Sequence, residues 1–129
     1  MVKLDTEKFP GMKALMVDDT STNLNILGHI LNLSGLDVSV ALDMKKVPET
    51  ARMSKPNLIL LSVNVPGVDG YEICDKLKKD KSTKDIPIIL ISVMDKIDDI
   101  VKGFTAGCAD YITKPFQEKV VLARIRTQL

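Results

Sequence analysis

Polar side chains follow several short apolar runs of this 129-residue chain, and their types suit a cation and a phosphoryl group. The adjacent carboxylates of Asp18 and Asp19 could hold a hard cation such as Mg²⁺, which prefers oxygen ligands. The hydroxyls of Ser62 and Ser92 and the ammonium of Lys114 suit a phosphoryl group, which accepts charge-assisted hydrogen bonds. Any one of them could be an ordinary solvated loop residue. Because four separate apolar runs supply them, the pattern favours one shared site.

The elements that must position these side chains alternate along the sequence in the order βαβαβαβαβα. This order predicts an α/β fold with a doubly wound parallel sheet and helices on both faces. Ligands of such sheets bind outside the carboxyl ends of the strands, so the polar side chains should meet at one edge. We predict strands over residues 13–17, 37–41, 58–61, 87–92 and 109–113, and helices over residues 24–34, 44–54, 71–79, 97–106 and 117–129.

Composition excludes several classes of protein. Lys and Arg number 18 and Asp and Glu number 17, so the net charge of +1 offers no general attraction for nucleic acid or an anionic membrane. No apolar run approaches the ~20 residues of a membrane span, and residues 1–7 lack the apolar core of a signal peptide. Cys74 and Cys108 lie in core-like segments and are read as free buried thiols. We expect a cytoplasmic protein without direct nucleic-acid or membrane contacts.

Several motifs, in this order and spacing, resemble the receiver domain of two-component response regulators. The resemblance runs from about Lys13 to Leu129. It is carried by Val17-Asp18-Asp19, by Leu58-Ile59-Leu60-Leu61, by residues 64–72 (NVPGVDGYE), by Ile89-Leu90-Ile91-Ser92 and by residues 106–116 (AGCADYITKPF). It implies a flavodoxin-like single domain over residues 13–129, with five parallel strands in the order 2-1-3-4-5. Residues 1–12 form a short polar lead-in.

The resemblance also implies roles for individual residues. Asp18 and Asp19 match the acidic pair that holds Mg²⁺, and Asn64 matches the residue whose backbone carbonyl is a metal ligand. Further matches are the switch hydroxyl at Ser92, the switch aromatic at Tyr111, the phosphate-pairing lysine at Lys114 and a proline with a cis bond at Pro115. The implied partners are a histidine kinase or phosphotransfer protein, a downstream output domain, and a second copy bound through the fourth helix, fifth strand and fifth helix.

One position departs from the family pattern. Receivers carry a phosphate-accepting aspartate at the end of the third strand, where this chain has Ser62. An acyl phosphate requires a carboxylate, and a serine hydroxyl is a weak nucleophile without an adjacent general base. His29 belongs to the first helix and cannot serve. With one carboxylate fewer, Mg²⁺ should bind weakly or not at all, and Asp18 or Asp19 can replace the lost partner of Lys114.

Three interpretations follow from Ser62. The chain is a degenerate receiver that acts as an interaction module, or a phosphate-accepting receiver in which an engineered Asp-to-Ser change blocks phosphorylation, or a hydrolase that uses Ser62 as nucleophile. The absence of a nucleophile elbow and of a catalytic histidine disfavours the enzyme. Without an aspartyl phosphate the resting state should dominate. For that state we predict Tyr111 turned outward and Ser92 directed away from the pocket.

Overall fold

A computed structural model describes residues 9, 11–18, 21–63, 65, 67–93 and 97–129, without the side chains of residues 21–23. The strands are β1 (Lys13–Val17), β2 (Asp37–Ala41), β3 (Leu58–Ser62), β4 (Ile88–Ser92) and β5 (Asp110–Thr113). The α-helices are α1 (Ser21–Leu33), α2 (Val47–Ser54), α3 (Gly70–Lys79), α4 (Ile97–Thr105) and α5 (Glu118–Gln128), with a 3₁₀ turn over Met44–Lys46.

The five strands form one parallel sheet in the order β2-β1-β3-β4-β5. This confirms the predicted flavodoxin-like topology. β3 and β4 lie inside the sheet and are buried along their whole length, which explains why their sequences LILLS and IILIS are almost entirely apolar. β2 is an edge strand and is mostly exposed.

Two apolar cores lie on opposite faces of the sheet because successive strand residues point to opposite sides. Ile59 and Leu61 of β3 pack with residues of α2 and α3 on one face. Leu58 and Leu60 pack with residues of α1 and α5 on the other face. Both faces are therefore covered, as a doubly wound sheet requires.

Element bounds agree with the predictions to within a few residues, but the second helix is divided. Its first turn is a 3₁₀ turn, and α2 proper begins at Val47. Pro48 lies in the first turn of α2, where its missing N–H has no helical partner to lose. No helix within the described part of the chain is long and apolar enough to cross a membrane.

α4 forms where a helix was predicted. Ile97, Ile100, Val101 and Phe104 recur at helical spacing and form an apolar stripe on it, but most of this stripe faces solvent. Ile97, Val101 and Phe104 are 78%, 55% and 48% exposed, whereas Ile100 is half-buried and packs on the core. Helical periodicity predicts which residues share a face, but it cannot say whether that face meets the core. The three exposed residues define what we call the α4 stripe.

Candidate functional site

Strand register brings the predicted polar residues to one edge of the sheet. Val17 pairs with Leu61, so Asp18 follows β1 at the level where Ser62 ends β3. Ser62 pairs with Ile91, which places Ser92 one residue further along β4. The backbone N–H of Lys114 donates to the carbonyl of Ser92 at 2.8 Å, which fixes the segment after β5 beside the end of β4. Four chain segments thus converge, as the alternation predicted.

Ser62 lies buried at the centre of this edge. The residue is 1% exposed, and among the described residues none offers its hydroxyl a hydrogen-bond partner. A buried hydroxyl without a partner is unfavourable by about 1–3 kcal/mol. Within the described part of the chain, the hydroxyl therefore makes no hydrogen bond that holds this edge of the sheet together.

Lys114 forms an ion pair with Asp18 across the site. The Nζ atom lies 3.4 Å from Asp18 Oδ2, and the two side chains are 13% and 9% exposed. The pair is almost fully removed from water. An unpaired charge buried in this way would be strongly unfavourable. Lys114 thus has a carboxylate partner although residue 62 is a serine.

Gly70 and Asp69 determine how closely α3 approaches Ser62. The sequence analysis assigned neither residue a role in the site. A Cβ atom at Gly70 would lie 2.9 Å from the Cα of Val63 and 3.0 Å from the carbonyl oxygen of Ser62. Asp69 caps the helix by accepting hydrogen bonds from the N–H groups of Tyr71 and Glu72 at 3.0 and 3.3 Å. The Asp-Gly pair at the start of a helix was the available sequence signal.

Tyr111 is buried, so the predicted outward ring is wrong. The residue is 7% exposed and belongs to the core on the α3 side of the sheet. A Cβ atom at Gly103 would lie 3.3 Å from the Cδ2 and Cε2 atoms of the ring, so the glycine leaves the space that the ring fills. Ser92 is fully buried at the end of β4, and its predicted orientation stays a prediction.

The remaining predicted features are the cis bond and the metal ligands. The Lys114–Pro115 peptide bond is cis in the structure. Asp19 and Asn64 lie outside the described residues. Among the residues that are described, no group of three or more His, Cys, Asp or Glu side chains could hold a metal ion.

The comparison with protein families decides what kind of site this is. The family model for the response regulator receiver domain matches residues 14–126. The chain is a member of this family. Receiver domains are signalling modules of two-component systems, and the fold, the strand order and the edge that gathers Asp18, Ser62, Ser92 and Lys114 all agree with that membership.

Individual relatives support the assignment. The receiver is 36% identical over 117 residues to the DNA-binding dual master transcriptional regulator RpaA of Synechocystis, covering 91% of this chain and 48% of RpaA. It therefore spans about half of that protein's length. The receiver domain of a signal transduction histidine kinase from Syntrophus aciditrophicus superposes with a TM-score of 0.83 at 28% identity, covering 92% of this chain and 90% of that one.

A solved structure with the same fold contains a metal. The receiver domain of sensor histidine kinase PA1611 from Pseudomonas aeruginosa has a magnesium ion coordinated in its active-site cleft. Its TM-score is 0.83 at 23% identity, over 92% of this chain and 97% of that domain.

Proposed function

We propose that this receiver is an interaction module of two-component signalling that does not take an aspartyl phosphate. The observation that carries the proposal is Ser62, a buried hydroxyl at the end of β3, where the family pattern requires a carboxylate. Formation of an acyl phosphate needs a carboxylate oxygen to attack phosphorus, and Ser62 has none. A histidine kinase or phosphotransfer protein, or an output domain, would bind this receiver without transferring phosphate to residue 62.

The Asp18–Lys114 ion pair supports the proposal, because it gives Lys114 a charged partner without a bound phosphoryl group. In a receiver with three carboxylates, one of them can accept the lysine while the others face a cation. Here the Lys114 ammonium forms an ion pair with the Asp18 carboxylate. A cation that needs Asp18 as a ligand must therefore compete with a buried ammonium. Weak Mg²⁺ binding is therefore part of the proposal.

The test compares the chain with a Ser62→Asp variant in the presence of Mg²⁺ and beryllofluoride, an analogue of a carboxylate-bound phosphoryl group. Amide spectra of the unsubstituted chain should not change with beryllofluoride, whereas those of Ser62→Asp should shift around Ser92 and Lys114. Calorimetric titration should show Mg²⁺ binding at least about tenfold tighter in Ser62→Asp, because a third carboxylate is added. Equal spectra and equal affinities in the two proteins would contradict the proposal.

A further variant tests the hydrolase interpretation. A Ser62→Asp variant that responds fully to beryllofluoride would show that the rest of the pocket is intact, whether the serine is natural or engineered. A serine-dependent hydrolase would instead turn over an ester or phosphomonoester and lose that activity in Ser62→Ala. We expect no such turnover, because no described residue offers the Ser62 hydroxyl a base.

We further propose that the α4 stripe binds a second copy of this chain. A two-fold interface must match its own surface, so it needs charges of both signs beside an apolar centre. Asp98 and Asp99 lie in the first turn of α4, while Lys102 lies in its last turn. The apolar stripe itself is exposed, as an unpaired interface would be.

Sedimentation velocity tests this interface. The unsubstituted chain should dimerise with rising concentration, and Val101→Glu should remain monomeric because it places a charge in the apolar centre. Met53→Glu is the matched control, since Met53 is 78% exposed but lies on α2, on a different helix. A monomer at all concentrations, or a dimer that survives Val101→Glu, would contradict the proposed homodimer.

A further inference from the structure

Residues of three elements lie around Tyr111 or around its neighbour Tyr71. Tyr111 comes from β5, Tyr71 from the first turn of α3, and Lys102 and Gly103 from α4. The proposed function assigns no role to Tyr71 or Gly103. The ring of Tyr111 is buried although an outward ring was expected without an acyl phosphate on residue 62. The contacts of these residues indicate what keeps the ring buried.

Tyr71 makes the polar contact. Its hydroxyl oxygen lies 3.5 Å from that of Tyr111, a long hydrogen bond in which either hydroxyl can donate. Burial, followed by the contact with Tyr111, raises the pKa of Tyr71 above its usual range, so the hydroxyl keeps its proton. The Tyr71 hydroxyl can therefore donate to the Tyr111 oxygen or accept from it at neutral pH.

Lys102 lies over the Tyr71 ring. Its ammonium nitrogen lies 4.8 Å from the centre of that ring, within the range of a cation–π interaction. Lys102 is exposed, whereas the Tyr71 side chain is half-buried. This contact links α4 to the start of α3.

Gly103 provides the space. It is buried within α4, and a Cβ atom there would lie 2.9 Å from Leu90 Cδ1 in addition to its close approach to the Tyr111 ring. Glycine is unfavourable inside a helix, so its position is explained by the close approach of the ring. The packing and the polar contact favour the same ring position.

We propose that Tyr71 is the positioning residue that holds Tyr111 inward, with Lys102 covering its ring and Gly103 making room. The inference rests on the proposed function, because it concerns how a receiver with Ser62 keeps one conformation without an acyl phosphate. The buried ring packs against Gly103 of α4. By fixing the ring, Tyr71 would also fix the position of α4 and of the α4 stripe. The inward state would then be an intrinsic property of the chain.

The test uses the fact that the sequence has only two tyrosines. In Tyr71→Phe the single remaining tyrosine is Tyr111, and ¹³C-labelled tyrosine reports its ring alone by NMR. An inward ring shows Overhauser contacts to Leu90 methyl groups and Gly103, and it is shielded from a paramagnetic cosolute. Loss of one neutral hydrogen bond should lower the ratio of inward to outward ring by about fivefold, with cosolute relaxation rising accordingly.

Two further variants make the result decisive. Lys102→Met removes an exposed charge and should shift the ring outward less than Tyr71→Phe does. Lys76→Gln, on the exposed side of α3, should leave the ring unchanged. A Tyr111 ring that keeps its contacts and shielding in both Tyr71→Phe and Lys102→Met would overturn the inference, and an unfolded Tyr71→Phe would leave Lys102→Met to decide. Phosphorylation of residue 62 is measured separately, so failure of the proposed function would not be confused with failure of this inference.

Discussion

Lys114 and Asp18 are 96 residues apart in sequence, and their side chains meet 3.4 Å apart at the end of the sheet. The ammonium pairs with a carboxylate at the end of β1, whereas position 62, where the family pattern places an acceptor carboxylate, holds a serine. Because both side chains are nearly buried, the pair is a structural feature of this site and not a solvated surface contact.

Breaking this pair should destabilise the protein. Lys114→Met leaves the Asp18 carboxylate without its ammonium, and we expect the free energy of unfolding to fall by roughly 1–3 kcal/mol. Adding Asp18→Asn should recover part of the loss, because the unpaired charge is then gone. A double-mutant cycle by urea denaturation measures the coupling, and strictly additive effects would contradict a direct interaction.

Removing the Ser62 hydroxyl should not destabilise the fold. Ser62→Ala deletes a buried hydroxyl that no described residue satisfies, so the free energy of unfolding should stay equal or rise by up to about 1 kcal/mol. Ser34→Ala is the matched control, since Ser34 is also buried but donates to the carbonyl of Ile30 at 3.3 Å. That control should lose about 0.5–1.5 kcal/mol. A larger loss at Ser62 than at Ser34 would show that Ser62 has a stabilising partner.

Two helical glycines should respond to alanine in opposite directions. Gly103→Ala should destabilise by about 1–3 kcal/mol, because the new methyl group would meet Leu90 and the Tyr111 ring. Gly28→Ala in α1 meets only the flexible end of Met16 at 3.4 Å, so it should stabilise by up to about 1 kcal/mol. Thermal unfolding of both variants checks the prediction. Stabilisation by Gly103→Ala would mean that the ring does not occupy the space beside it.

The buried thiols should make the fold less stable in alkali. Burial raises the pKa of Cys74 to about 12 and that of Cys108 to about 11. Unfolded thiols ionise near pH ~8.5, so above that pH the unfolded state loses protons that the folded state keeps. Stability should therefore fall with rising pH by up to about 1.4 kcal/mol per thiol per pH unit until the folded pKa values are reached.

A Cys74→Ala and Cys108→Ala double variant isolates this effect from the ionisation of lysines. Its free energy of unfolding should fall less steeply between about pH 8.5 and pH 10.5 than that of the unsubstituted chain. Parallel curves for the two proteins would show that the thiols ionise equally in both states.

The sequence could predict most of the fold and the edge that carries the site. Ser62 and Lys114 follow apolar runs that only a parallel sheet can place together, so their convergence was predictable from strand order. The position of the Tyr111 ring was not, because it depends on the missing Cβ of Gly103 on a neighbouring helix and on Tyr71, 40 residues away in sequence. The α4 stripe shows the same limit, since periodicity does not reveal which neighbour a helix face meets.

Ser62 should prevent this receiver from taking a phosphoryl group. Intact-mass measurement of the chain and of Ser62→Asp after incubation with acetyl phosphate and Mg²⁺ tests this directly. We predict that the unsubstituted chain gains no base-labile phosphate and that Ser62→Asp gains one, since only a carboxylate forms an acyl phosphate. A base-labile phosphate adduct on the unsubstituted chain would contradict the claim.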